Sequence, residues 1–450
     1  MLSKSYRIAG IVIGVLFIAI LFFLFRPQLY CKMGRYKYEK AGRIAEEMAA
    51  RYKEMPCEDP DVTAAESDRF WRRQEKLRLK IIRCYEQAVA AFSRAREIRA
   101  SALDDEALVA LANSRIGTLG TSYPPRHTIS EIRQTLKVAQ AELEEAIRIN
   151  KNNKNAYSSL IQANLNWLHR NPEEAVEACE RFKQAFPKHS TMHFDCGCAY
   201  SAAGEEDFGR IHYAKAIELD PSSDASLYMC IILLGEGKTE EARSLATQYI
   251  KANPPPSKVW IVKDMLRQEE ETQKLVEDIQ KRLTENPDDF EATREMAEAL
   301  SKGGHFDLAY EWHQKAHSIR PDDEWALRRL ADFQSSRDPQ AAVKSYKKLL
   351  SQENDDFSKA IDMRQIGEAY YTMGDYDEAL SWYKKAEAKS DFHAVLFFRM
   401  AECYDKMGDE EMAEEYARKH IDYRKEMDKK RRYRQMKSKL AAIFNFSPDT

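Results

Sequence analysis

Hydrophobic and polar residues recur with helical spacing along most of this chain of 450 residues. Apolar residues three and four positions apart give each segment one apolar face, as in helices packed against one another. In the first third of the chain this pattern covers 30–55 and 67–100, separated by a break at 56–61, and then 104–117 and 130–149. The alternating pattern of β-strands is missing. The sequence therefore predicts an all-α protein.

From residue 156 onward the pattern repeats about every 34 residues. The repeated units begin near residues 156, 190, 223, 256, 290, 324, 360 and 394. Prolines recur at intervals of 34, 33, 33 and 34 residues, at Pro187, Pro221, Pro254, Pro287 and Pro321. A proline lacks an amide donor and clashes inside a helix, so each is expected where the second helix of a unit ends.

The clearest unit shows which residue types the repeat needs. It reads Ile366-Gly367-Glu-Ala-Tyr370-Tyr-Thr-Met-Gly374-Asp-Tyr376-Asp-Glu-Ala379-Leu-Ser-Trp-Tyr383-Lys-Lys-Ala386. This order of small and aromatic residues resembles the tetratricopeptide repeat (TPR) almost position for position. The resemblance implies antiparallel helix pairs stacked into a right-handed superhelical solenoid. It also implies binding of other proteins or peptides on the concave face, which the first helix of each unit usually lines.

The unit at 256–289 is degenerate, with Lys263 and Leu275 where small residues are expected.

The repeat frame divides the chain into five segments. The segments are 1–29, an N-terminal tail and membrane anchor; 30–103, juxtamembrane helices that form a stalk or divergent repeats; 104–155, a divergent helix pair with a long loop; 156–423, eight TPR-like units; and 424–450, a basic capping helix and tail.

The anchor is predicted from the apolar run between Ile8 and Phe25. These eighteen residues include no charged side chain, and a helix of that length would rise about 27 Å, close to the thickness of a bilayer's hydrocarbon core. No small-residue cleavage pattern follows, which disfavours a signal peptide. The sequence therefore predicts a single-pass membrane protein with one transmembrane helix before the repeats.

Charge and cysteine usage bear on the location of the soluble part. Lys and Arg are more frequent after the apolar run than before it, which favours a cytoplasmic soluble domain. The eight cysteines are scattered without the rhythm of a disulfide framework, as expected where thiols stay reduced. A periplasmic or other extracytoplasmic location stays open, because short anchors also export domains. A formal net charge of -3 makes nucleic acid an unlikely partner.

The later units carry arginines and carboxylates at matching positions of their first helices. A spacing of four residues puts both groups on one helical face. Stacked units would form a charge ladder able to hold a partner's charged groups, because arginine binds carboxylates in bidentate fashion. The alternative is a solvated face with weak intrahelical pairs. The ladder consists of Arg294, Glu298, Arg328, Asp332, Arg364, Glu368, Arg399 and Glu402, the last pair being offset by one residue.

The stretch 424–439 carries nine Lys or Arg residues against two acidic ones. A polar helix that caps the last apolar face of a repeat array would have this composition. A basic surface for anionic lipid or nucleic acid is the alternative, because cations near an anionic membrane bind it favourably.

Chemistry-bearing motifs are few. His189, His193, Cys196 and Cys198 form the one metal-like cluster, but their spacing matches repeat positions better than paired zinc ligands. The sequence contains no phosphate loop, nucleophile elbow or metalloprotease helix. We therefore expect neither a metal nor a cofactor, and we expect a protein that is not an enzyme.

These features predict a membrane-anchored TPR scaffold or adaptor whose groove assembles or localises a complex. Two alternatives stay open at this stage. One is a docking receptor for proteins arriving at the membrane, and the other is a regulator of a membrane enzyme or protease.

Overall fold

The computed structural model describes residues 27–48, 64–119, 127–166, 171–353, 355–389 and 393–444. These residues form nineteen α-helices and a short 3₁₀ helix, Ala100–Ala102, and no strand occurs among them, which confirms the all-α prediction. The helices are α1 (27–48), α2 (Ala64–Ile98), α3 (Asp105–Leu119), α4 (Ile129–Ile149), α5 (Lys154–Asn164), α6 (Pro172–Ala185), α7 (Ser190–Ala202), α8 (Glu206–Leu219), α9 (Ala225–Gly235), α10 (Thr239–Lys251), α11 (Pro256–Glu285), α12 (Phe290–Lys302), α13 (Phe306–Ile319), α14 (Glu324–Arg337), α15 (Pro339–Gln352), α16 (Asp356–Thr372), α17 (Tyr376–Glu387), α18 (His393–Lys406) and α19 (Glu410–Phe444).

The helices form two compact units, each with its own core. The first holds the described parts of Met1–Thr121, Arg133–Met229 and Leu245–Lys263, and the second holds those of Ser122–Ile132, Cys230–Ser244 and Asp264–Thr450. The core of the first unit draws on helices from α1 to α7, with Phe92, Leu108, Leu143, Tyr157, Phe182 and Met192 among its members. In the second unit the larger clusters lie between neighbouring helices from α11 to α19.

Small residues allow the two helices of a pair to approach closely. A Cβ atom added to Gly367 in α16 would lie 2.6 Å from the ring of Tyr383 in α17. In the first unit, Gly197 of α7 faces Tyr213 of α8 in the same way, at 2.5 Å. Since real Cβ contacts are longer, only glycine fits against these buried rings. The spacing of glycine and tyrosine in the sequence therefore reports a direct contact between helices.

Glycine also makes the turn between the two helices of a pair. Gly204, Gly237, Gly304, Gly374 and Gly408 all have φ between 73° and 84°, a backbone conformation that other residues adopt at a cost. In each of these pairs the second helix begins two residues later. Asp375 caps α17 by accepting a hydrogen bond from the Glu378 amide at 3.3 Å.

The unit predicted at 256–289 is not a helix pair. Where five of the other units have a turn glycine, this one has Glu270, and α11 continues as one helix of 30 residues. Neither a glycine with positive φ nor a proline such as Pro339, which separates α15 from α14, interrupts the backbone hydrogen bonds of this helix. The loss of small residues noticed in the sequence therefore accompanies a change from two helices to one.

The predicted membrane anchor, Ile8 to Phe25, lies outside the described residues. Among the residues that are described, none of the helices is both long and apolar enough to cross a bilayer. The long helices α2, α11 and α19 carry frequent charges, while the most apolar helix, α9, has 11 residues and spans only about 16 Å. This finding contradicts the predicted localisation as a single-pass membrane protein, and we withdraw that localisation.

Candidate protein-interaction face

The predicted charge ladder lies on α12, α14, α16 and α18, the first helices of four successive pairs in the second unit. Side-chain contacts join each of these helices to the next, from Arg294 to Trp325, from Arg328 to Asp362, and from Glu368 to Arg399. The ladder residues therefore lie on neighbouring helices of one surface, which we call the first-helix face.

Arg328 is held by three carboxylates. Its guanidinium donates a hydrogen bond to Asp362 of α16, which is fully buried, and lies 3.2 Å from Glu324 and 3.4 Å from Glu353. Burial raises the pKa of Asp362, and the charge of Arg328 opposes that rise. The arginine is thus needed inside the fold, where it compensates a buried acid.

Arg399 is likewise engaged with neighbours in the fold. Its guanidinium lies 2.9 Å from Glu368 of α16 and 2.8 Å from Glu402 on its own helix, and it stands 5.4 Å from the ring centroid of Tyr371. Burial raises the pKa of Glu402, against the opposing charge of Arg399. These three charged side chains are each about three-quarters buried and stabilise the packing of α16 against α18.

Asp332 accepts a hydrogen bond of 2.6 Å from the hydroxyl of Tyr346, which is buried in the next helix, α15. Burial and the neighbouring carboxylate raise the pKa of Tyr346. The nearest cation to Asp332 is Arg329, at 3.6 Å, and not Arg328 as the four-residue spacing suggested. Of the intrahelical pairs predicted for the ladder, only that between Arg399 and Glu402 forms.

Three members of the ladder keep binding capacity. Arg364 and Glu298 are half-buried, and neither takes part in a hydrogen bond or ion pair with another described residue. Arg294 lies 3.4 Å from Glu291 and 5.6 Å from the ring centroid of Trp325, but its buried Nε atom has no hydrogen-bond partner within the described part of the chain. Partly desolvated charges of this kind interact more strongly with a partner than exposed ones do.

The structure does not bring His189, His193, Cys196 and Cys198 together as ligands of one metal ion. Nε2 of His189 lies 3.2 Å from Nζ of Lys154, while Nδ1 of His193 lies 3.1 Å from Nδ1 of His212. Cys198 accepts from the Tyr213 hydroxyl at 3.6 Å. No group of three or more metal-ligating side chains occurs among the described residues.

Cys196 forms a disulfide with Cys179, which differs from the expectation of reduced thiols. The two residues are 17 positions apart, and the packing of α6 against α7 brings their Cα atoms to 5.3 Å. Both are fully buried. Sequence spacing could not identify the pair, because the eight cysteines offer many pairings and the choice depends on helix packing.

We expect the double substitution of Cys179→Ala and Cys196→Ala to lower the free energy of unfolding by about 3 kcal/mol, because the cross-link restricts the unfolded chain. Dithiothreitol should destabilise the parent to a similar extent and leave the variant unchanged in urea unfolding followed by circular dichroism. Alkylation of all eight cysteines in the unreduced, denatured protein would contradict the disulfide.

Sequence reasoning also missed a buried pair in the second unit. Nε2 of His305 lies 2.8 Å from a carboxylate oxygen of Glu269 in α11, and Nδ1 lies 2.9 Å from the carbonyl oxygen of Leu234 in α9. Both ionisable side chains are at least 95% buried. The hydrogen bond that His305 donates to Glu269 raises the pKa of His305. Burial alone would raise the pKa of Glu269, but the contact with His305 outweighs burial and the pKa is lowered. No motif marks this pair, because its residues lie 36 positions apart in different elements.

The basic C-terminal stretch falls within α19, whose helix extends to Phe444. The earlier part of α19 packs on the array, since Tyr416 and Ala417 join the core cluster formed with α17 and α18. Both residues precede the basic stretch, so capping by residues 424–450 stays a prediction. The surface for anionic lipid that the sequence also suggested has no support in the described residues.

Comparison with known proteins identifies the repeats at the C-terminal end. Two tetratricopeptide repeat models match residues 363–394 and 394–426. No curated protein matches the sequence. Proteins with such repeats are generally non-enzymatic scaffolds that bind other proteins or peptides.

Similar solved structures cover parts of the chain. One titled crystal structure of MamA has 19% identity over 34% of this chain and 89% of its own, with a TM-score of 0.31. YrrB, described as a TPR protein with an unusual peptide-binding site, has 17% identity over 53% of this chain and 97% of its own, with a TM-score of 0.26. PilF of Pseudomonas aeruginosa has 12% identity over 58% of this chain and 88% of its own, with a TM-score of 0.24. Superpositions this loose carry no argument about function.

Proposed function

We propose that this helical protein, with tetratricopeptide repeats at residues 363–426, is a scaffold that binds partner proteins or peptides on the first-helix face of α12, α14, α16 and α18. The observation that carries the proposal is the state of Arg364. It is half-buried and has no hydrogen bond or ion pair among the described residues. In contrast, Arg328 and Arg399 on the adjacent helices each form ion pairs with several carboxylates of the fold.

The chemistry of this face suggests how a partner is held. Arg364 and Arg294 offer guanidinium donors that suit a carboxylate of the partner, and Glu298 offers an acceptor for a partner's cation. Trp325 adds an aromatic surface beside Arg294. A segment with both acidic and basic side chains would satisfy these groups together.

The face is tested with Arg294→Glu combined with Arg364→Glu. The reversed charges should weaken capture of a partner at least about thirtyfold, since loss of a buried charge contact costs about 2 kcal/mol or more. Partners are captured from cell extract and identified by mass spectrometry, and the affinity of the leading one is then measured by calorimetry.

The matched control is Lys274→Glu combined with Lys344→Glu. This variant has the same change in net charge, but both lysines are exposed and lie on α11 and α15, which carry none of the ladder residues. Capture that is lost from the first variant and retained by the control supports the face. Equal capture by both variants would reject it, provided that circular dichroism shows both to be folded.

The captured proteins also distinguish two kinds of scaffold. A single stoichiometric partner indicates an adaptor within one complex. Many partners bound transiently indicate a docking receptor, which is one of the two alternatives that the sequence left open.

A further inference from the structure

The last helix of the chain is much longer than the helix against which it packs. α19 has 35 residues, whereas α18 has 14. At about 1.5 Å per residue, α19 extends roughly 30 Å beyond its partner. A helix without a packed face is marginal in water, so a second element that packs on α19 would stabilise it.

Charge is divided unequally along α19. Its first half, 410–426, has six acidic and four basic residues, and its second half, 427–444, has one acidic and seven basic residues. The two halves therefore carry formal charges of -2 and +6. An antiparallel pair of such helices would place each acidic half beside a basic half.

The acidic half also forms one wall of an open cleft of about 740 Å³. The cleft contains Phe397 of α18 and Tyr423, whose ring centroids are 6.3 Å apart. Its α19 lining consists of Glu411, Glu414, Glu415, Arg418, Lys419, Asp422, Tyr423 and Glu426. Five carboxylates against two cations give the cleft a formal charge of -3.

One carboxylate in this wall lacks a donor. Glu414 accepts from Arg418 through Oε1, at 3.3 Å, but its buried Oε2 has no hydrogen-bond partner in the described residues. A buried acceptor left without a donor is unfavourable, and a lysine or arginine from outside the unit would satisfy it.

The basic half of α19 has the matching sequence. The three- and four-residue spacing that runs through Glu411, Glu415, Arg418, Asp422 and Glu426 continues in the sequence as Lys429, Tyr433, Met436 and Leu440. Apolar residues flanked by cations suit a cleft with an aromatic floor and an acidic rim.

We propose that α19 is a self-association helix: two copies of this chain pair through α19 in antiparallel orientation, and the basic half of each copy occupies the acidic cleft of the other. A twofold axis relates the copies, so one complementary pair of surfaces forms twice. This proposal does not depend on binding at the first-helix face.

Two charge-reversal variants test the pairing. In the first, Glu411→Lys, Glu415→Lys and Asp422→Lys make both halves of α19 basic. In the second, Lys429→Glu, Arg432→Glu and Lys437→Glu make both halves acidic. Each variant alone should dimerise about a hundredfold more weakly than the parent, because like charges then face each other.

The decisive measurement is sedimentation velocity of the two variants mixed in equal amounts. Opposite charges would then meet in both halves, so a heterodimer should form although each variant alone is monomeric. Dimerisation of the parent should weaken as salt rises.

Three results would overturn the proposal. The first is that the parent is monomeric at about 100 μM and low salt. The second is that both variants dimerise as strongly as the parent, and the third is that the mixed variants do not associate. Association through another part of the chain, including the apolar run of residues 8–25, would persist in both variants and is thereby distinguished. A control with Lys274→Glu and Lys344→Glu should dimerise like the parent.

Discussion

Replacing Arg328 by alanine should lower the free energy of unfolding by about 3–5 kcal/mol, because it leaves the carboxylate of Asp362 buried without a compensating cation. Asp362 has no exposed surface, and Arg328 is the cation that holds it. The measurement is urea unfolding followed by circular dichroism, with the parent and the variant compared at pH 7.

The matched control is Arg329→Ala, one position along α14. Its guanidinium is half-exposed and lies 3.6 Å from Asp332, so its removal should cost well under 1 kcal/mol. A second variant, Arg328→Ala combined with Asp362→Asn, removes the unpaired charge and should recover much of the lost stability. A loss in Arg328→Ala no larger than that in Arg329→Ala would show that Asp362 does not need the arginine.

The pH dependence of this variant has a definite sign. Burial raises the pKa of Asp362 already in the presence of Arg328, and removal of the cation should raise it further. A carboxyl group whose pKa is raised on folding stabilises the folded state when protonated, and this stabilisation is lost as pH rises through the folded-state pKa. The deficit of Arg328→Ala should therefore shrink as pH falls from 7 towards 5.

Replacing Glu269 by alanine should likewise cost about 3–5 kcal/mol, because His305 would lose the acceptor for its buried Nε2 proton. The pair lies where α11 replaces the helix pair found in other units, and His305 also contacts the carbonyl of Leu234 in α9. The neighbouring Glu270→Ala is the control, since that carboxylate is exposed and paired with Arg243 at the surface.

The same pair predicts how stability changes with pH. The pKa of His305 is raised above its ordinary value of 6.5, so its contribution is complete below pH 6.5 and is lost as pH rises through the folded-state value. The pKa of Glu269 is lowered from 4.5, so its contribution is complete above pH 4.5 and is lost only in stronger acid.

The comparison that isolates the pair is the parent against Glu269→Gln, which keeps a hydrogen-bonding group but removes the charge. The stability difference between them should be largest between pH 4.5 and 6.5 and should decrease towards pH 9. Other histidines cancel in this difference, including His212 and His313, whose pKa values burial lowers to about 4. A difference that is constant across pH 6 to 9 would mean that His305 is not charged in the folded protein.

The ion pairs of Arg328 and Arg399 also change how the charge ladder is interpreted. A variant that reversed Arg328 and Arg399 together with Arg294 and Arg364 would lose structural contacts as well as binding contacts. The structure separates the two roles, since Arg328 and Arg399 hold helices together while Arg364 has no such contact among the described residues. A binding test is therefore informative at Arg294 and Arg364.

The sequence by itself determined the all-α fold and the tetratricopeptide repeats that the family models match at residues 363–426. The reasons are local: the apolar face of each helix, a turn residue such as Gly374 that adopts positive φ, and a capping residue such as Asp375 all act within a few positions of the chain. The contact between Gly367 and Tyr383 was visible because the repeat fixes which positions of the two helices meet. The sequence also marked the unit at 256–289 as different from the others, because Lys263 and Leu275 stand where small residues are expected.

Only the tertiary structure decided which side chains pair. Arg328 meets Asp362 across 34 positions, and Glu269 meets His305 across 36. Cys179 meets Cys196 because α6 and α7 pack closely. Spacing within one helix places Arg328 and Asp332 on the same face, but each of them finds a nearer partner on another helix. The energy of an ion pair depends on distance and burial, and both are set by how helices stack, which local periodicity does not specify.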